Sequence, residues 1–428
     1  MKCLGRTTHL GIFLVTLIVT VCCSARRLPH DRTSNPFIIN IEALQENKTK
    51  MGREGEHPKL RKALSDLVKE ADGLLKSRDR SVVEKKRIPP SGDIHDYLSM
   101  ATYYWPDPSK PNGEPYIHKD GKTNPEIGEI KDNSNLIRMV KQVNTLALAY
   151  YYTNEEKYAE KAVEKVKVWF LDPQTRMNPN LNHAQYIPGR NDGRVVGLID
   201  SRELVDLIDG LQLLSSSDHW NSSTEIDVKA WFSDFLFWLQ NSELGKSAEE
   251  KLENNIATAY YMQIIAYALY VGDTSIVHKV VEVDLPRLID VQIDPEGKQI
   301  FELSRANSWG YSEANLTYWF KIARLSEHVG IKLLDKQTRI GRALLLAFNW
   351  MAPYTREEKE WTYSKVRQPD FAASGRRLAN ARTRLSNTRT GLVRDTSLNS
   401  LSNSQVVSRS LDIPDSVSAY EILTEFNK

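Results

Sequence analysis

A set of aromatic, amide and arginine side chains, most of them outside the regular helical stretches, is of the types that bind and do chemistry. Tyr103, Tyr104 and Trp105 fall together in "YYWPDP", Asn182, His183 and Gln185 in "NLNHAQYIPG", and Arg194 follows shortly after. Asn254 and Asn255 open "NNIATAYYMQ", and Arg305 and Tyr311 share "SRANSWGYSEAN". Flat aromatic faces suit sugar rings, while amides and guanidiniums donate hydrogen bonds to carboxylates. Each also has a structural use. Asn254 is well placed to cap a helix, Tyr311 beside Trp309 could be core, Arg305 could sit in a surface ion pair, and the "YYWPDP" rings could pack their own loop. His183 and His95 could serve only as structural hydrogen-bonding groups.

Other chemistries have little support. The chain contains no Gly-rich phosphate loop, HExxH or Gly-x-Ser-x-Gly element, and its nine histidines lack ligand spacing. No metal or cofactor is therefore expected. Paired acids such as those of "EKYAEKAVEKVK" read as solvated helix faces. A net charge of +2 gives no reason to expect nucleic acid as a partner.

The elements that must position these residues are mostly helices. In "HPKLRKALSDLVKEADGLLK" Leu60, Ala63, Leu64, Leu67, Val68, Ala71 and Leu75 recur at the spacing of a one-faced helix. The same pattern predicts helices over 134–152, 155–170, 201–214, 226–241, 252–270, 312–329 and 334–349, with Gly330 as a helix stop. Alternating strand-like runs are scarce, so the fold class is all-α, built from packed helical hairpins. Two regions break the pattern. Residues 89–126 combine Pro, Gly and Asn with many aromatics, as ordered functional loops do. Residues 374–410 are rich in Ser, Thr, Asn and Arg with little apolar period, and read as a loose tail.

The first 25 residues read as an export signal: Lys2, Arg6 and His9 precede the apolar run "LGIFLVTLIVTVCC", and small residues follow. That run is shorter than the roughly 20 residues needed to span a bilayer. Cys3, Cys22 and Cys23 all lie inside the segment, leaving the expected mature chain without disulfides or thiol chemistry. The expectation is a secreted, extracellular monomer, not membrane-bound once the signal is removed. Asn47, Asn221 and Asn315 head Asn-x-Ser/Thr sequons that mark candidate glycosylation sites.

The stretches "PPSGDIHDYLSMATYYWPDP", "PYIHKDGKTNPE", the segment from "LALAYYY" to "GRVVGLID", "NNIATAYYMQIIAYALYVGD" and "FELSRANSWGYSEANL" resemble, in order, those of the alginate lyase family of polysaccharide lyases, taken broadly to include glucuronan lyases. The resemblance implies an incomplete (α/α) toroid over residues 56–365, after a signal peptide (1–25) and an N-terminal extension (26–55). A divergent, partly disordered C-terminal region (366–428) would follow. It implies cleavage of an acidic polysaccharide by β-elimination, in which the proton at C5 is removed and the glycosidic oxygen at C4 expelled.

Position by position, the resemblance makes Tyr311 the catalytic tyrosine, Arg305 its companion cation and Asn255 the amide that neutralises the substrate carboxylate. A phenol with a depressed pKa would take the C5 proton and pass it to the leaving oxygen. Asn254, Gln185, Arg194, His95, Tyr103, Tyr104 and Trp105 would bind substrate. The family usually has His after the paired Asn, and here the residue is Ile256. His183, or less favourably His95, would have to fill that role. Glucuronate and mannuronate carry the C5 proton and C4 oxygen on one face, so one tyrosine can serve both. Guluronate carries them on opposite faces and needs a second group. An active lyase is thus expected to prefer glucuronan or mannuronate-type alginate. The alternative is a catalytically inactive, acidic-glycan-binding descendant. A glycoside hydrolase would need two opposed carboxylates, and the matching motifs offer no such pair.

Overall fold

A computed structural model describes residues 35–52, 57–366, 368–383 and 423–424. The proposed export segment, its cysteines and most of the 374–410 tail lie outside these residues. The helices are α1 (Ile41–Met51), α2 (Pro58–Leu75), α3 (Asp132–Thr153), α4 (Glu156–Phe170), α5 (Leu204–Leu213), α6 (Ser222–Asn241) and α7 (Glu243–Lys251). They continue with α8 (Asn255–Val271), α9 (Thr274–Lys279), α10 (Leu285–Gln292), α11 (Ile300–Leu303), α12 (Ser308–Glu327), α13 (Arg339–Thr355) and α14 (Phe371–Thr383).

Burial sorts these helices into two layers. An inner row runs α3, α5, α8, α12, each packed on the next. An outer row covers it, with α2 and α4 against α3, α6 against α8, and α13 and α14 against α12. The result is an all-α, incomplete (α/α) toroid. The sequence dictates the sorting. α8 is apolar around nearly its whole circumference, which requires a central place. Its buried Gln263 is satisfied by Ser201, Leu198 and Ala259. α2 buries only the stripe Leu60, Ala63, Leu67 and Ala71, and keeps its charged side for water.

Some boundaries differ from the sequence expectation. The helix expected over 334–349 runs instead from Arg339 to Thr355, because Thr338 caps it by accepting from the Gly341 N–H. The helix expected over 201–214 starts only at Leu204, as α5, because a 3-10 turn over Val195–Ser201 precedes it. Asn221 starts α6 earlier than the apolar period does, accepting from the Thr224 N–H. The C-terminal region contributes more than a tail: α14 packs on α12 and α13, and buried Leu423 accepts hydrogen bonds from Asn47 and Tyr152. The segment before α1 is held just as firmly, since the carboxylate of Asp209 accepts from the backbone N–H groups of Phe37, Ile38 and Ile39. Two sequons are corrected by burial: Asn47 and Asn315 are both 0% exposed, and only Asn221 lies on the surface.

The irregular 89–126 region holds three short strands: β1 (Leu98–Met100), β2 (Tyr104–Trp105) and β3 (Ile117–His118). β2 and β3 form an antiparallel hairpin, and β1 pairs in parallel with β4 (His183–Tyr186). A buried ion pair fixes this region to the inner row. Lys85 Nζ lies 2.9 Å from Asp132 Oδ2 at the start of α3, and that oxygen also accepts from the Leu98 N–H. The pairing of β1 with β4 brings two distant loops together over the inner helices.

Candidate active site

The start of α12 carries the reactive candidate. Trp309 is fully committed to the core, edge-on to Trp361 and Phe371. Two residues on, Tyr311 emerges from that core, half-buried. Its hydroxyl lies 2.9 Å from the Tyr103 hydroxyl and accepts from Arg305 Nη2 at 3.2 Å. The Arg305 guanidinium also lies over the Tyr311 ring, 4.1 Å from its centroid. Arg305 is in turn gripped by Asp120 from the loop after β3, with Nη2 to Oδ1 at 2.8 Å and Nε to Oδ2 at 3.3 Å. Asp120 Oδ2 further accepts from the Ala306 N–H. The next residue, Gly121, approaches so closely that a Cβ there would lie 2.9 Å from the Ala306 Cβ, at a φ of +73°.

Electrostatics correct one expectation. Burial and the hydrogen bond with Tyr103 push the Tyr311 phenol above its ordinary pKa, and the opposing pull of Arg305 does not reverse this. The resting residue is therefore a phenol, not a phenolate. Burial opposes the charge on Arg305, but its hydrogen bonds to Asp120 hold it as a cation. The same contact holds Asp120 below the usual carboxylate range.

Asn255 joins this group through Glu302. Its backbone N–H donates to Glu302 Oε1 and its Nδ2 to Oε2, both at 2.7 Å, so the amide orientation is set by an internal carboxylate. Burial raises the Glu302 pKa, against these hydrogen bonds and the nearby Arg305 charge. Ile256 follows at 8% exposure, an apolar group beside the amide. Asn254 takes its structural reading: its side chain caps α8 by accepting from the Ile256 N–H at 3.1 Å.

A second group surrounds β4. Gln185 Oε1 accepts from Arg194 Nη2 at 2.9 Å, and the Arg194 guanidinium lies over the Tyr104 ring. Because Tyr103 and Tyr104 are consecutive, one short loop touches both groups. His183 Nδ1 is 3.1 Å from the Asp192 carbonyl, and its Nε2 is 3.8 Å from Asp96 Oδ2. His95 Nδ1 contacts the Arg176 carbonyl at 2.6 Å, beside a network in which Asn178 and Asn180 donate to Asp96. The described contacts connect neither histidine to Tyr311. Trp105 is used by its own hairpin, with Nε1 donating to the Lys122 carbonyl and Lys119 over its ring.

Sequence reading missed Asp120, Glu302 and Asp200, the acids that hold Arg305, Asn255 and Gln185 in place. Isolated acids in loops resemble solvated surface. The spacing of Glu302, three residues before Arg305, was the one available signal.

A family model described as alginate lyase matches residues 81–361. Among solved structures, the chain is similar to an alginate lyase from Bacteroides ovatus at 34% identity and a TM-score of 0.75, covering 84% of this chain and 97% of that one. It also resembles a histidine-to-alanine variant of alginate lyase A1-III complexed with a tetrasaccharide. There the TM-score is 0.52 over 83% of this chain and 90% of that one, at 11% identity, a likeness of fold alone. A comparison with curated proteins found no match. The matched span includes Tyr103, Asn255, Arg305 and Tyr311, and on it the conclusion rests: this chain belongs to the alginate lyase family.

Proposed function

We propose that the protein is a secreted polysaccharide lyase that cleaves a β-1,4-linked polyuronate, glucuronan or mannuronate-type alginate, by β-elimination. The observation that carries this reading is the Tyr311 hydroxyl, held between Tyr103 and Arg305, together with the amide of Asn255 that Glu302 orients. Once deprotonated, Tyr311 takes the C5 proton. The C–H electrons form the C4–C5 double bond, the C4–O bond breaks, and Tyr311 returns the proton to the departing oxygen. Charge accumulating on the substrate carboxylate is met by the remaining N–H of Asn255, and Arg305 favours the phenolate.

Asp120 and Glu302, the carboxylates of this group, are engaged in holding Arg305 and Asn255. That arrangement favours elimination over glycoside hydrolysis. Export rests on the residue order of the first 25 positions. An acidic polysaccharide as the partner of a monomer, and glycosylation at Asn221 alone, complete the reading. Ile256 favours a second reading, an acidic-glycan-binding protein without turnover. Accumulation of unsaturated uronyl ends, followed by absorbance on glucuronan and polymannuronate, separates the two. Binding without any such product would replace the first reading by the second.

A further inference from the structure

Three elements carry the reactive candidates: α8 has Asn255 at its start, α11 has Glu302 with Arg305 just beyond it, and α12 has Tyr311 in its first turn. Apolar packing alone has no direction and would let these helices turn or slide against one another. Between them lies a group of buried amides that the elimination chemistry does not use. Gln292, the last residue of α10, is 1% exposed, and both N–H groups and both lone pairs of its amide are engaged. Its Nε2 donates to the Asn254 carbonyl at 3.0 Å and to the Thr258 hydroxyl at 2.9 Å. Its Oε1 accepts from Trp319 Nε1 at 2.8 Å and from Asn315 Nδ2 at 3.1 Å, with the Thr258 hydroxyl also 3.2 Å away. The amide has one workable orientation, because an indole N–H can only donate and a backbone carbonyl can only accept.

Gln299 extends the same group to α11. Its Oε1 accepts from Asn315 Nδ2 and its Nε2 donates to the Ser312 carbonyl, both at 3.0 Å, while its own carbonyl accepts from the Glu302 and Leu303 N–H groups. The two glutamines flank one tight turn, closed by the bridge between Ile293 and Gln299. Gly297 in that turn, at a φ of +89°, passes so close to α13 that a Cβ would lie 2.5 Å from the Leu346 carbonyl oxygen. The turn is thereby fixed, and with it the amides it delivers. On α12 the gripped residues Ser312, Asn315 and Trp319 share one face, and on α8 Asn254 and Thr258 lie one turn apart. Such contacts set the rotation of each helix about its axis. Tyr311 adjoins Ser312 and Asn255 adjoins Asn254, so the direction of each follows from that rotation.

We infer that Gln292 is a positioning residue for the elimination: with Gln299 and Asn315 it sets the mutual geometry of Asn255, Arg305 and Tyr311 from inside the core. This rests on the lyase reading above and goes beyond it, since the rate then depends on an amide out of reach of the polymer. A satisfied buried network of this kind admits one arrangement of the helices, whereas a partly satisfied one drives them to rearrange.

Steady-state kinetics of the full chain on glucuronan and polymannuronate test this, together with NMR of protein whose tyrosines are isotope-labelled at Cζ. The Tyr311 resonance is the one lost in Tyr311→Phe. Gln292→Met keeps the side-chain length but removes every hydrogen bond of the amide, and Gln292→Glu keeps the acceptor facing Trp319 and Asn315. Gln263→Met is the control, because Gln263 is an equally buried amide of α8 whose partners are Ser201, Leu198, Ala259 and Tyr267. Gln292→Met is expected to lower kcat about tenfold to a hundredfold, the effect of displacing a reacting group by about 1 Å. KM should change little, as for an interaction realised in the transition state, and the Tyr311 resonance should shift. Gln292→Glu should recover part of kcat, and it carries the comparison alone if Gln292→Met folds poorly. Gln263→Met should lower the melting temperature while leaving kcat and the resonance as in the parent. Where the parent turns over, parental kcat in the Gln292 variants, or an equal fall in Gln263→Met, would overturn the inference. Where the parent forms no product the lyase reading fails instead, and the resonance decides whether Gln292 sets the geometry of the group: a shift confined to the Gln292 variants upholds that role, and an unmoved signal ends it.

Discussion

At Tyr311 the residue type was legible, but its surroundings were not. Tyrosine, arginine and amide in family motifs pointed to an eliminating site, whereas the hydroxyl of Tyr103 and the carboxylate of Asp120 come from about 200 residues earlier, at sequence separations of 208 and 185. No periodicity reports such a contact. Its consequence is a raised phenol pKa, and from that follows a pH dependence. Below its pKa the phenolate fraction grows about tenfold per pH unit. The rate constant kcat/KM should therefore climb from neutral into alkaline pH with a log slope near one, and Tyr311→Phe should abolish it with little change in melting temperature. A flat profile, or a Phe variant with full activity, would remove Tyr311 as the base. Ile256 tests the neighbouring role. A preorganised donor to developing charge is worth about 10²–10³ in rate, so Ile256→His should raise the initial rate at least about tenfold. An unchanged rate would show that the amide of Asn255 and its surroundings already suffice.

Elements were legible in proportion to their periodicity. α2, α4 and α8 have unambiguous apolar patterns and form close to the expected spans. The 89–126 and 183–186 stretches have none, because their order comes from one another: β1 pairs with β4, and Lys85 with Asp132. The segment before α1 was unreadable for the same reason, its backbone being satisfied by Asp209 of α5. Asp209→Ala would leave buried N–H groups unpaired, each costing about 1–3 kcal/mol. Urea unfolding is expected to show a loss of about 3 kcal/mol or more in stability. A change below about 0.5 kcal/mol, the usual range of surface substitutions, would mean that the segment is not anchored there.

The whole molecule follows from stacking these elements. An inner row with apolar surfaces and an outer row with single stripes leaves an incomplete toroid, over which the loops carrying Tyr103, Gln185 and Arg305 converge. The class of fold was readable because helix period dominates the sequence. The docking of α14 and Leu423 was not, because that composition lacks an apolar stripe and the contacts are made with α12, α13 and α1. Substrate choice belongs to this scale, since on the proposed reading Tyr311 is the one proton-transferring group, and Ile256 stands where the resemblance implies a histidine. The most direct measurement is the initial rate of unsaturated uronyl formation by the unmutated chain on glucuronan, polymannuronate and polyguluronate side by side. The expected result is product from glucuronan or polymannuronate and none from polyguluronate, because one tyrosine serves only a proton and leaving group on the same face. Polyguluronate as the best substrate would contradict the account, since it demands a second base on the opposite face of the ring.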